Sequence, residues 1–471
     1  MKNSKALSRS FVAGLLIMGA QGAHAEDWKD ASGLLSAFGV DPNEKSFMKD
    51  NNLKFGGWVE TSVSVNANKT HNGFNGPITF QDRDSQFQMN QLNLYLQKAI
   101  NVSGDSFDWG GRVDFMFGSD AIFTQAYGNP VYNPYTGVAQ QRGSWDLHLS
   151  GDQNYGIALP NAYAEFNLPI GNGIDVKAGH FYTPLGYEVV TAPDNFMVTK
   201  PYTMQYGEPF THTGFYGTYA LNSNWSVLAG AVTGSNTGGW DGNFDRNLGT
   251  WSWLGGGTWT SDDAATSLNL TTTLGKQSDT NNNLWGIYSL VGKHNFTDKL
   301  HFIIQHDHGF AEKVITASGY YKTGLLDPSA TENAEWYGLN SYLIYDVNDK
   351  VSAGVRAEWF RDQNGYRVNG ANRCYAGVNV YGGSATGAAY NTGGGQCNGW
   401  MGSTGNFSYP TPGTGYYALT AGLNYKPAKW LSLRPNMRLD YADHKVFGVG
   451  ADGIGNNRTQ FLFSADAVVT F

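Results

Sequence analysis

The chain has 471 residues, a formal charge of −8 and only 15% charged residues, against about 25% in typical soluble domains. This low charge is unusual for a soluble domain. A helical membrane protein is excluded, because the mean hydropathy is −0.37 and no stretch of about 20 apolar residues follows the N-terminus. A polar chain that is low in charge, with 14% aromatic residues and 61 glycines, suits strands with one apolar and one polar face. The acidic balance argues against nucleic acid as a partner.

Residues 1–25 have the three regions of a secretory signal peptide. Three basic residues within the first nine are followed by the apolar stretch 11–20 and by the small-residue site Ala23–Ala25. This apolar stretch is too short for a stable membrane-spanning helix, so we expect cleavage before Glu26 and export of the mature chain.

Residues 26–52 do not alternate between polar and apolar positions as strands do. Leu34, Leu35 and Phe38 recur at helical spacing instead. The pattern predicts a short N-terminal segment that precedes the strands on the periplasmic side, and it leaves a helix, a partial plug and a disordered lead open.

Residues 53–471 repeat one pattern, in which apolar residues alternate with polar ones and tight turns join the alternating stretches in pairs. In the last stretch Phe461 and Phe463 fall on one face, and Ser464 and Asp466 fall on the other. The pattern predicts about 16 strands. The predicted strands and strand pairs lie near 54–66, 91–100, 107–117, 161–181, 211–234, 251–275, 283–310, 334–362, 416–442 and 461–471.

The connections alternate between short turns and long loops, the longest lying at 119–156, 182–210, 311–333 and 362–415. An apolar strand face, a polar strand face and one rim of long loops are typical of a closed antiparallel β-barrel in a bacterial outer membrane. We therefore predict an all-β transmembrane barrel with its apolar face against outer-membrane lipid, short periplasmic turns and long extracellular loops. A barrel of about 16 strands leaves an aqueous lumen. A secreted β-sandwich or β-helix is the competing interpretation.

Charged residues fall on the polar faces of several predicted strands, where they would line the lumen and act on passing solutes. Wall ion pairs that only stabilise the barrel explain the same pattern, and both roles can hold together. The predicted lumen-facing charges are Arg112, Asp114, Arg356, Glu358, Arg434 and Arg438.

The connection at 182–210 is rich in proline and aromatic residues, and its prolines forbid a regular paired strand. We predict that it folds into the lumen and narrows it, with an ordinary exposed loop as the alternative. Its candidate constriction residues are Glu188, Asp194, Lys200 and Glu208.

Two stretches that flank this loop, AGHFYTPLGYEVV (178–190) and QYGEPFTHTG (205–214), resemble signature sequences of one family. The chain is similar over 53–471 to the putative beta-barrel porin-2 family, the OmpL-like porins of Gram-negative bacteria. His180 stands where a more basic residue is expected in that family. The resemblance implies an outer-membrane porin of loosely defined substrate. It brings no catalytic residues.

Cys374 and Cys397 lie in one glycine-rich loop, and in an oxidising compartment we expect them to form a disulfide. No nucleophile motif such as G-x-S-x-G occurs, which argues against an enzyme. His306 and His308 share a strand face, but we expect no metal site and no cofactor.

The leading functional hypothesis is passive diffusion of small hydrophilic solutes through the lumen. A channel selective for sugars or small organic molecules is the alternative, and a surface receptor or adhesin is a third hypothesis from another class. The aromatic residue Phe471 resembles the signal that barrel-assembly machinery recognises. Monomer and homotrimer remain open.

Overall fold

The computed structural model describes residues 29–68, 73, 75–124, 155–233, 251–278, 281–314, 331–370, 413–449 and 455–471. The predicted signal peptide and the predicted disulfide between Cys374 and Cys397 lie outside these residues. Where described, the chain is almost entirely β-structure, as its alternating pattern predicts. Within the described residues no helix has the length and apolar character needed to cross a membrane.

The strands follow each other along the whole described chain. Their bounds are β1 Leu53–Asn66, β2 Gln86–Lys98, β3 Asp108–Gly118, β4 Gly156–Ala158, β5 Ala162–Leu168, β6 Ile174–Tyr182, β7 Thr211–Ala220, β8 Trp225–Thr233, β9 Trp251–Thr260, β10 Thr266–Ser278, β11 Asn281–Asn295, β12 Leu300–Val314, β13 Glu332–Asn348, β14 Val351–Asp362, β15 Thr414–Ala428, β16 Leu431–Ala442, β17 Phe447–Val449, β18 Gly455–Asn457 and β19 Thr459–Thr470.

The strands form one closed antiparallel barrel. Barrel strands that follow one another in the chain are paired, and β19 closes the sheet by pairing with β16 on one side and with β1 on the other. The register places Trp58 opposite Thr470. Both β4 and β5 pair with β3, so they form one interrupted strand and the barrel has 16 strands. The predicted fold and strand number are confirmed. β17 and β18 form a separate hairpin.

Side chains alternate between the outside and the inside of the barrel, as the period of two requires. In β19 Phe461 and Phe463 point outward and are 38% and 43% exposed, whereas Leu462 and Ser464 point inward and are fully buried. The same outward pattern recurs in β15 and β16 with Leu419 and other apolar side chains. The barrel is therefore apolar outside and largely polar inside, the reverse of a soluble barrel.

The two rims of the barrel differ in the length of their connections. The short turns lie at 99–107, 169–173, 221–224, 261–265, 296–299, 349–350 and 429–430. We call this end the turn rim, and the opposite end, which carries the long connections, the loop rim. The N-terminal segment begins at the turn rim, where β1 starts.

Residues 29–52 form short helical pieces packed against the turn rim, namely Leu34–Ala37, Pro42–Glu44 and Ser46–Asp50. The side chain of Asn43 donates to the Phe55 carbonyl at 2.9 Å and accepts from the Phe55 amide at 2.8 Å. The Lys429 amide donates to the Lys29 carbonyl at 2.9 Å. The described part of the segment therefore contains short helices that are hydrogen-bonded to the turn rim, and a role as a partial plug stays a prediction.

Candidate functional site

The long connection between β6 and β7, residues 183–210, lies inside the barrel, and we call it the lumen loop. Every residue from 197 to 213 is buried. Its prolines break strand pairing, so most of its backbone groups need partners from the wall. The short helical pieces Ala192–Asp194 and Thr203–Gly207 provide only part of these partners.

Side chains from the inner wall supply the missing partners by donating to carbonyl groups of the lumen loop. The donors come from strands on several sides of the lumen and from the short helix Arg367–Gly370. The bonds are Gln91 to Val190 at 2.7 Å, Arg434 to Ala192 at 2.7 Å and to Asn195 at 2.6 Å, Arg356 to Thr199 at 2.7 Å, Arg438 to Lys200 at 3.1 Å, Arg367 to Tyr206 at 2.5 Å, and Trp336 to Gly207 at 3.1 Å.

Two of these arginines belong to a connected network of buried charges. Arg356 binds Glu188 of the lumen loop at 2.5 Å and Glu358 of its own strand at 2.8 Å. Arg438 binds the same Glu358 at 2.7 Å and Asp440 at 2.8 Å. Each guanidinium therefore joins a wall carboxylate to the loop, and the opposite charges compensate one another.

The network also holds the loop through Tyr202, whose amide donates to Glu358 at 3.0 Å and whose hydroxyl donates to Asp440 at 2.9 Å. Arg434 makes a separate bidentate pair with Asp466 of β19. A buried charge that loses its partner is strongly destabilising, so these contacts fix one position of the loop.

The structure places the predicted lumen-facing charges on the inner face of the wall, but the lumen loop covers most of them. Arg356, Glu358, Arg434, Arg438 and the loop residues Glu188, Lys200 and Glu208 are all buried. They connect the loop to the wall instead of facing open water, which differs from the prediction that they line the channel. Arg112 and Asp194 keep exposed surface, and for them a channel-lining role stays a prediction.

Glu208 anchors the end of the lumen loop that leads into β7. The amide nitrogen of Gln305 donates to Glu208 at 2.5 Å and to both oxygens of Asp307 at 3.0 Å. Burial, together with the neighbouring Asp307 carboxylate, raises the pKa of Glu208 well above its usual value. The neutral acid is thus the form that suits this position. Burial lowers the pKa of Lys200 in the same loop.

Two further segments cover the lumen loop from the loop rim. The Thr79 amide and hydroxyl donate to the side chain of Gln205 at 2.7 and 2.8 Å, and the Tyr206 hydroxyl donates to the Pro77 carbonyl. The Arg367 guanidinium lies 4.8 Å from the centre of a Trp336 ring. No local sequence pattern indicates the contacts of Gln205 and Tyr206, because their partners lie more than 120 positions away along the chain.

On the opposite wall, formed by β2, β3, β5 and β6, only Gln91 supplies one of these bonds to loop carbonyl groups among the described residues. Arg112 donates to Asp114 at 2.5 and 2.8 Å and lies 4.1 Å from the centre of the Tyr95 ring. Lys177 pairs with Glu165 at 3.2 Å. The side chains of Arg112 and Lys177 remain 21% and 25% exposed, so this wall presents paired charges to an open space.

A cavity of about 450 Å³ lies on this side, near the turn rim, and we call it the vestibule. The N-terminal segment borders it on one side and the lumen loop on another. Its lining residues include Asp41, Lys54, Tyr95, Arg112, Tyr182 and Asp194.

A model of the family described as "Putative beta-barrel porin-2, OmpL-like" matches residues 52–471. No curated protein matches the chain. The structure is similar to that of Pseudomonas putida OprB, with 11% identity, 94% of this chain and 99% of that chain covered, and a TM-score of 0.54. It is also similar to an anion-selective porin from Comamonas acidovorans, with 9% identity, 89% and 99% covered, and a TM-score of 0.51. At these identities the two structures support the fold alone.

Proposed function

The chain belongs to the OmpL-like putative beta-barrel porin-2 family, and from this premise we propose that it lets small hydrophilic solutes diffuse passively across the bacterial outer membrane. It is an outer-membrane porin, a channel in class and not an enzyme. Its turn rim then faces the periplasm and its loop rim the outside.

The observation that supports the proposal is the fixed position of the lumen loop. Buried arginines of β14 and β16 hold the loop against one wall, through bonds such as Arg356 to Thr199. The vestibule lies on the opposite side, beside the partly exposed Arg112. A preformed narrow passage beside a rigid loop sorts solutes mainly by size, since nothing needs to move when a solute passes.

Single-channel conductance of the purified protein in planar bilayers tests the proposal. We expect ohmic steps in potassium chloride and, in liposome swelling, entry of small sugars and amino acids at rates that fall with solute size. A protein that inserts but conducts no current would refute the proposal and favour the receptor hypothesis, in which the outer loops bind a partner.

A homotrimeric assembly and recognition of Phe471 by the barrel-assembly machinery stay predictions. Crosslinking of the protein in native outer membranes tests whether it is a homotrimer. The role of Phe471 is tested with a Phe471→Ser variant, by measuring the fraction of folded, heat-modifiable barrel in the membrane. Equal folding of this variant and of the unaltered protein would exclude a role for Phe471 in assembly.

A further inference from the structure

Three strands carry an arginine two residues before a carboxylate, and in each the arginine Nε donates to that carboxylate. The pairs are Arg112 with Asp114 at 2.5 Å, Arg356 with Glu358 at 2.8 Å, and Arg438 with Asp440 at 2.8 Å. The pairs differ in what the terminal nitrogens bind. In Arg356 and Arg438 both terminal nitrogens are used, by the lumen loop or by other wall groups.

Arg112 is different, because its second bond to Asp114 uses only one terminal nitrogen. Among the described residues, its Nη1 makes no hydrogen bond, and its guanidinium carbon lies over the Tyr95 ring, 4.1 Å from the ring centre. A planar donor that is fixed by an aromatic neighbour and by a bidentate pair loses little freedom when it binds a further acceptor. Its position in the vestibule lining makes that acceptor a passing solute.

Resting on the proposed channel function, we infer that the vestibule is a binding subsite for neutral polyhydroxylated solutes, with Arg112 donating to a solute hydroxyl. Its volume of about 450 Å³ lies within the range of about 300–1,000 Å³ typical of small-molecule sites. Tyr182 also lines it and offers an aromatic surface on which the apolar face of a sugar ring packs.

The charges of the lining select a neutral solute over an anion. The lining contains two basic residues, Lys54 and Arg112, and two acidic ones, Asp41 and Asp194. Asp114 pairs with Arg112 and compensates its positive charge. An anion therefore gains little net attraction in the vestibule, whereas a neutral hydroxyl group can accept a hydrogen bond from the guanidinium without needing a net positive charge in the lining.

The test is the block of ion current by sugar in planar bilayers that hold the full mature protein. We expect maltose to reduce the current with a saturable dose dependence, and sodium gluconate, which adds a charge to similar hydroxyl groups, to bind more weakly. Arg112→Lys keeps the charge opposite Asp114 but loses the planar fork, and it should weaken the apparent affinity for maltose about tenfold.

Lys177→Gln is the matched control, because Lys177 is a similarly exposed wall cation with its own carboxylate partner but does not line the vestibule. It should leave the maltose affinity within about twofold of the unaltered protein. If Arg112→Lys fails to insert, Tyr95→Leu replaces it and should also weaken the maltose block.

Three results would overturn the inference. They are an ohmic current that maltose does not affect, a stronger block by gluconate than by maltose, and equal maltose affinities in the Arg112→Lys and Lys177→Gln variants. Each of them leaves the proposed diffusion channel intact, because the pore still conducts. Absence of any current would instead refute the channel function itself.

Discussion

The inner wall of the barrel uses the same arginine–carboxylate pair for two different purposes. On β14 and β16 the pairs of Arg356 and Arg438 are fully buried under the lumen loop and bind its carbonyl groups. On β3 the pair of Arg112 borders a cavity. The chemistry of the pair is equal in both regions, so the path of the loop alone decides whether a pair is an anchor or a solute contact.

Because the anchoring arginines are buried, loss of one of them should have the largest effect on stability. Arg356→Ala leaves Glu188 and Glu358 buried without their shared cation, and it should lower the free energy of unfolding by about 3–5 kcal/mol. It should also raise the single-channel conductance, because the loop loses a bond that holds it to the wall. Urea unfolding in detergent and planar-bilayer recording measure the two effects.

Arg361→Ala on the same strand is the control for this prediction. Its partner Asp443 and the arginine itself are partly exposed at the rim, 3.4 Å apart, and such pairs contribute about 0–1 kcal/mol. Similar losses of stability in the two variants would contradict the division of the wall into anchors and exposed pairs.

A second prediction concerns pH and the loop end at Glu208. Because the pKa of Glu208 is raised in the folded protein, its stabilising effect is complete below the ordinary pKa of glutamate and is lost as the pH rises through the raised value. The free energy of unfolding should therefore fall as the pH increases over that range. Glu208→Gln, which stays neutral, should make this dependence flatter.

Glu44→Gln, at an exposed carboxylate of the N-terminal segment, should leave the pH dependence of unfolding unchanged. If Glu208→Gln and Glu44→Gln gave the same slope as the unaltered protein, ionisation of Glu208 would have no part in holding the loop.

A smaller effect is expected from a single neutral hydrogen bond to the loop. Trp336→Phe removes the donor to the Gly207 carbonyl and should cost about 1 kcal/mol or somewhat more, since the carbonyl stays buried without this partner. Trp285→Phe is the control, because the Trp285 ring is also buried and its nitrogen makes no hydrogen bond among the described residues. Thermal unfolding of both variants separates the lost bond from the lost ring volume, and equal shifts would show that the bond contributes nothing.

The sequence predicted the barrel well because strand phase is local information. The alternation of Phe461 and Phe463 with Ser464 places each side chain on its face before any tertiary contact is known. The sequence also predicted that the connection at 182–210 enters the lumen, from its prolines and its mixed charges.

The surroundings of the charged wall residues could not be predicted from local sequence in the same way. Whether Arg356 faces water or a loop depends on contacts such as that between Thr199 and Arg356, which are 157 positions apart. The vestibule likewise combines Asp41 of the N-terminal segment, Arg112 of β3 and Asp194 of the lumen loop. No local pattern indicates that such distant residues meet.

The smallest effect on stability is expected from a substitution of Asp194, on the side of the lumen that borders the vestibule. This carboxylate is exposed, lines the vestibule and accepts a hydrogen bond from the Thr191 hydroxyl at 2.5 Å. Asp194→Asn keeps an acceptor there and removes one negative charge, so stability should change little. The reversal potential in a potassium chloride gradient should shift toward that of chloride, because an exposed charge beside the passage acts directly on ions. Asp262→Asn, in a turn outside the vestibule, should leave it unchanged, and equal reversal potentials for all three proteins would show that ions do not pass beside Asp194.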